Sequence, residues 1–165
     1  MRLRGAYGKL LFYLVLMLSA AAAGAQQRQV EAATVDFSIT LQEIHRILED
    51  EGPAGLPTER TLVIDGVVAE ILVIDPEPES FLVQIELVTG RWIGLEEIRL
   101  YRAYVFVQGP QFFERVSAGA AANDQRDVVT PNSRIIVLGN IVDVFVDEDG
   151  TSAPIIDGID LRLIR

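Results

Sequence analysis

Six polar and aromatic residues, Glu70, Gln84, Glu86, Trp92, Arg102 and Tyr104, have the types and spacing to recognise a ligand if adjacent strands carry them. Phe81, Val83, Ile85 and Leu87 alternate with Leu82, Gln84, Glu86 and Val88, so a strand that buries the first set turns Gln84 and Glu86 to its other face. Tyr101, Ala103, Val105 and Val107 leave Arg102 and Tyr104 outside in the same way, with Glu70 alongside. An arginine, two carboxylates and an amphipathic tyrosine suit a polar ligand such as an oligosaccharide, or a protein edge. Trp92, on the connection that follows, offers a stacking platform. The plainer readings are the stronger ones: Glu86 and Arg102 are cross-strand charge partners on a solvated face, and Trp92 is a plug that closes one end of the domain.

Catalytic chemistry has little to stand on. His45 is the only histidine and there is no cysteine, so no His–Cys pair or multi-histidine metal set can form. His45 is read as an ordinary surface or half-buried side chain. No Gly-x-Ser-x-Gly elbow and no phosphate-binding glycine loop occurs. Glu96 and Glu97 are consecutive, and consecutive side chains diverge on a strand, which is poor placement for paired acid–base work. Asp143, Asp147, Glu148 and Asp149 with Gly150 suggest a calcium loop, but a hard cation needs about six to eight oxygens. A solvated turn is the better account, as it is for Asp75, Glu77 and Glu79.

These candidates must be held by a chain of 165 residues, enough for one domain of ordinary size. Its first 25 residues read as a secretory leader: Arg2, Arg4 and Lys9 precede the apolar run Leu10 to Leu18, and Ala23-Gly24-Ala25 offers a cleavage site before Gln26. The apolar run is short for a retained membrane anchor. Absence of cysteine excludes disulfides, thiol chemistry and a lipid-modified cysteine. Removal of the leader leaves 11 arginines against all 24 acids, a formal charge of −13, where the whole chain carries −10. Such a balance argues against nucleic acid and anionic lipid, which need a positive face.

Taken in order, Gln26 to Ala33 is polar and alanine-rich, and Thr34 to Ile39 reads as a short extended segment. Thr40 and Glu43 match a capping box, Leu41, Ile44, Ile47 and Leu48 repeat at helical spacing, and Gly52-Pro53 stops the pattern, which predicts a helix over 41–51. Gly52 to Glu59 follows as a linker. Thr61 to Ile74 is a long apolar strand that Gly66 is expected to bulge or bend. Beyond that bend, Val67, Ala69, Ile71 and Val73 point one way and Val68, Glu70, Leu72 and Ile74 the other. An acidic, proline-stiffened turn over 75–80 leads to the strand 81–88. Thr89 to Glu97 is a glycine-punctuated connection. Ile98 to Gln108 is a third strand, ended by Gly109-Pro110, and Pro110 opens a short helix with Phe112, Phe113 and Val116 on its buried side. After the small, polar stretch 117–133 come strands at 134–147 and 155–165, with Gly139 echoing Gly66 and a turn at 147–150.

Three strands, a helical insertion and a closing hairpin is the order of the OB-fold. On that order, the glycines in the first and fourth strands and the leader, residues 60–165 resemble the extracytoplasmic bacterial OB-fold proteins. Among these are the small periplasmic stress-associated family and the starvation-inducible outer-membrane lipoproteins, although the lipoproteins' N-terminal cysteine is absent here. The resemblance implies a mainly β domain, a five-stranded OB-like Greek-key barrel with an N-terminal helix and a short helix between strands 3 and 4. It also implies a ligand face on the outside of the second and third strands. An open sandwich or meander is the alternative. The expected organisation is a leader at 1–25, helix and linker at 26–59 and barrel at 60–165. The expected function is a non-enzymatic binding or adaptor module of the cell envelope, periplasmic or secreted, whose partner is an envelope protein or oligosaccharide. It would have no cofactor, no metal, no nucleic-acid partner and no membrane span after leader removal. The alternatives are a structural subunit that docks through the helix 41–51, and a carboxylate-based hydrolase.

Overall fold

A computed structural model describes residues 35–119, 127–147 and 150–165. The leader expected at 1–25 and the polar stretch behind it lie outside the described residues. Among the described residues no helix is long and apolar enough to cross a membrane.

The elements in order are β1 (Val35–Asp36), α1 (Leu41–Asp50), a single 3-10 turn (Pro53–Gly55), β2 (Thr61–Asp75), β3 (Leu82–Ile93), β4 (Glu97–Gln108), α2 (Pro110–Phe113), β5 (Arg134–Val146) and β6 (Ser152–Leu163). The domain is mainly β. Its six strands form one sheet in the order β1-β2-β3-β4-β6-β5, and β5 pairs back onto β2. All these contacts are antiparallel except β1–β2 and β4–β6, which are parallel. The first half of β2 pairs with β5 and its second half with β3, and Val67 is the hinge that faces both Arg134 and Val88.

Gly66 sits one residue before that change of partner. It does not bulge, because its pairing with Ile135 continues the β5 register. Its role is close approach: a Cβ there would lie 2.7 Å from Cγ of Leu87. The irregularities fall later, between Val68 and Glu70 and between Val73 and Asp75, which makes Ala69 and Ile74 the extra residues. An extra residue shifts the two-residue period by one. Val68 is therefore buried together with Leu62 and Ile64, and Ile71 is buried beyond it. The single alternation expected after Gly66, with Val68 and Ile71 on opposite faces, is corrected for that reason. A second pair of bulges leaves Ile159 and Val142 unpaired in the β5–β6 ladder, and both are exposed.

The buried cluster draws on every long strand. Phe81, Val83, Ile85 and Leu87 meet Tyr101, Ala103, Val105 and Val107 within it, as the alternation of both segments predicts. Leu41 and Ile44 of α1 belong to the same cluster, with Ile47 and Leu48 packed at its edge. Thr40 caps α1 by accepting the Glu43 amide at 3.2 Å. The acids at the far end of the helix, where the macrodipole disfavours them, have cationic partners: Glu49 pairs with Arg99, and Asp50 lies 3.5 Å from Arg46.

The sharpest departure from expectation is at 89–97. This is no loose connection. β3 and β4 continue past the body of the domain as a two-stranded arm, in register from Thr89–Tyr101 to Ile93–Glu97, and turn at Gly94, whose φ is +67°. Residues 90 to 100 are all exposed. Trp92 therefore stands on β3, 65% exposed, and is not the plug the sequence suggested.

Candidate functional site

α1 and the β3–β4 arm frame two neighbouring depressions. The larger, about 610 Å³, lies between α1, β4 and the β5–β6 hairpin, and is lined by His45, Arg99, Tyr101, Arg102, Tyr104 and Phe145 among others. The second, about 450 Å³, lies between α1 and the arm, with Arg46, Arg91, Trp92, Arg99 and Tyr101 on its walls. Arg99, Tyr101 and Glu49 line both, so the two form one groove around the edge of β4.

The groove gathers four arginines in a chain of formal charge −10. Arg99 pairs with Glu49, and its guanidinium lies 5.6 Å from the centre of the Tyr101 ring. Arg102 Nε is 2.6 Å from Glu86 Oε1, and Arg46 is 3.0 Å from Glu43. All three guanidinium side chains remain about half exposed. The Arg46 and Arg99 pairs are exposed on both sides. Such pairs contribute about 0–1 kcal/mol each, so an incoming anion can exchange for those carboxylates at small cost. Glu86, by contrast, is only 18% exposed and holds Arg102 more firmly. Tyr104 meets Phe145 edge to face, ring centres 5.5 Å apart. This presents aromatic surface beside the arginines.

His45 ties the helix to the site. Its Nε2 is 2.7 Å from the carbonyl oxygen and 3.1 Å from the amide nitrogen of Arg102. In one tautomer Nε2–H donates to the carbonyl; in the other the amide donates to Nε2. The ring is 8% exposed and leans on Tyr101 at 5.4 Å. Burial, partly opposed by the bond to Arg102 and the charge of Glu49, holds the imidazole below its ordinary value of 6.5. The folded chain thus resists a proton that the unfolded chain takes up near 6.5. The stability this contributes is whole above that pH and is lost as pH falls through the lowered folded value. The midpoint of urea unfolding is expected to drop between neutral pH and about pH 5, and the drop should shrink in His45→Phe. Equal pH sensitivity in the two proteins would show that His45 is not the group responsible.

The six candidates from the sequence divide three ways. Glu70, Gln84 and Glu86 come together with Leu72 around a shallow hollow of about 60 Å³. Arg102 and Tyr104 line the large depression, and Trp92 lines the second one on the arm. Glu86 and Arg102 form the ion pair expected of them, diagonally, since Glu86 faces Tyr104 and Arg102 faces Val88. Sequence reasoning missed Arg46, Arg91, Arg99 and Phe145. The available signal was Arg91 and Arg99 in a stretch that continues the alternation of both strands. Glu96 and Glu97 are exposed at the arm's tip. The turn proposed for calcium includes Glu148 and Asp149, which lie outside the described residues.

No family model matches the chain, and no curated protein sequence matches it. Solved structures do. The chain is similar to a Plasmodium falciparum single-stranded DNA-binding protein solved with single-stranded DNA: 11% identity, 64% of this chain and 94% of that one, TM-score 0.40. It is also similar to a small single-stranded DNA-binding protein from Streptomyces coelicolor, at 15% identity over 63% of this chain and 93% of that one, TM-score 0.34. A putative aspartyl-tRNA synthetase from Leishmania major Friedlin matches 84% of this chain but 22% of its own length, at 11% identity and TM-score 0.42.

The sequence pointed to an envelope module for a protein or oligosaccharide, with nucleic acid excluded by net charge; against that expectation, two of the solved structures named above are single-stranded DNA-binding proteins. Net charge averages over the surface, and four arginines line the groove together with Glu49 and Asp147. The docking helix is corrected as well, since Leu41 and Ile44 are buried in the chain's own core at 2% and 0% exposure.

Proposed function

We propose that the ring of pairings β2-β3-β4-β6-β5 closes a five-stranded OB-type barrel, and that this barrel binds single-stranded nucleic acid along the groove between α1 and β4. The observation that carries the reading is the pairing of Arg99 with Tyr101 at the point where the two depressions join, with Arg46 and Arg91 on one side and Arg102, Tyr104 and Phe145 on the other. Non-sequence-specific single-strand binders combine a cationic track for phosphates with aromatic faces for bases. Here both lie on one path. The binding that the neighbours' names describe is the same in kind, but the support for it in this chain is its own side chains. The body of the domain is acidic and repels a polyanion beyond the groove, so the expected affinity is modest and strongly dependent on salt.

Fluorescence anisotropy with a labelled oligothymidylate tests this. Saturable binding at low salt is expected, weaker for a duplex of equal length. Arg99→Ala and Arg102→Ala should each weaken binding several-fold and lower the slope of log affinity against log salt by about 0.7, the value for one single-strand phosphate contact. If no binding is seen at any salt concentration, or both variants bind like the parent, the proposal is wrong.

A further inference from the structure

We propose that the outer face of the β3–β4 arm is the contact between two copies of this chain. Trp92 stands opposite Ile98 and Gly90 opposite Leu100, and the two-residue period sets these four positions on one face. Trp92 is 65% exposed, Ile98 50% and Leu100 61%, while Leu95 at the tip is 96% exposed. Gly90 adds no side chain, so the space beside Ile98 and Leu100 stays open, with ordinary contact distances of 3.4 and 3.5 Å for a Cβ placed there. A two-stranded ribbon with both edges unpaired is marginally stable in water unless something covers its apolar face. Four large side chains this exposed are also unusual on a surface that meets only solvent.

Charge selects the occupant. At a formal −10, most surfaces of this chain repel a second copy. The face from Gly90 through Trp92, Ile98 and Leu100 has no charged side chain, and Arg102, next along it, is neutralised by Glu86. Two copies can meet here without bringing like charges together. The exposed area of the four side chains is on the order of 500 Å² per copy, so a symmetric pair reaches about 1,000 Å², the lower bound of a specific interface. A two-fold pair in which the same patch serves both partners is the simplest closed arrangement. Arg91 and Arg99 lie on the opposite face of the arm, but Trp92 and Leu100 also line the two depressions, so the contact between copies covers part of the groove. It rests on the apolar face alone and does not depend on the nucleic-acid reading.

Sedimentation equilibrium of the purified protein, without nucleic acid, is the test. A reversible monomer–dimer equilibrium in the micromolar range is expected, accompanied by a blue shift in the emission of Trp92, the only tryptophan. Trp92→Ser combined with Leu100→Ser should weaken dimerisation at least tenfold. A matching melting temperature would show that the double variant folds; if it does not match, Leu95→Ser alone, at the tip, should still weaken dimerisation measurably. A monomer at every concentration, or a dimer indifferent to these substitutions, overturns the proposal. So does a monomer whose Trp92 emission moves only when an oligonucleotide is added, because the face would then be a platform for bases.

Discussion

Phe112→Ala is expected to remove about 3–5 kcal/mol of unfolding free energy, whereas Phe113→Ala should cost only about 1 kcal/mol. The two rings are neighbours in sequence and both were expected inside. The structure separates them: Phe112 is 1% exposed and Phe113 39%. α2 is only four residues long, and Gly109-Pro110 sets its start without any side-chain cap. One helical turn does not hold itself together in water, so Phe112 in the core is what keeps it in place. The next residues depend on the same anchor. Arg115 lies 5.5 Å from the Phe112 ring, 2.9 Å from Asp160, and donates to the Leu161 carbonyl, while Val116 bridges to Val129. Removing the ring leaves a cavity under this segment and loosens its tie to β6. Phe113 gives up only an edge-to-face contact with Phe81 at 5.4 Å. Domains of this size are stable by about 5–15 kcal/mol, so the first variant should lose a large part of the total in urea unfolding with little change in slope. Equal costs for the two substitutions would contradict this division of roles.

What could be read in advance, and what could not, follows from where the information lies. The helix at 41–50 was legible because its cap, its apolar spacing and its stop are all local. The inward faces of β3 and β4 were legible because each alternates without interruption. The faces of β2 were not, because Ala69 and Ile74 are extra only in relation to β3, and no property of either side chain marks it as such. The arm was missed because Gly90 and Gly94 read alike as breaks. Only Gly94 has a positive φ; Gly90 is a strand residue whose missing side chain leaves room beside Ile98 and Leu100. The groove was hardest of all. Arg46, Arg91, Arg99 and Phe145 are spread over four elements, and only the packing of α1 beneath the arm brings them together. His45 belongs to the same class, since its partner is a backbone 57 residues away.

Gly139→Val should be as damaging as a core deletion, for the opposite reason. Gly139 on β5 faces Gly158 on β6 next to the bulge at Ile159, and the strands approach closely there. A Cβ at Gly139 would lie 2.5 Å from the carbonyl oxygen of Asp157 and 2.7 Å from Cγ2 of Ile156. The first obstacle is backbone and cannot rotate aside. Neither glycine has a positive φ, so the constraint is space and not backbone conformation. Overpacking of this kind typically costs about 1–3 kcal/mol; alanine should fall within that range and valine at or above its top. The damage would not stay local, because β6 is the strand that joins β5 to β4. Gly90→Ala is the matched comparison. A Cβ there makes only ordinary contacts on an exposed arm, and replacing glycine without strain reduces the freedom of the unfolded chain, so stability should hold or rise by up to about 1 kcal/mol. The difference between the two glycines is the measurement that matters: similar costs at both would mean that β5 and β6 are not in the close register on which the closed ring of pairings depends.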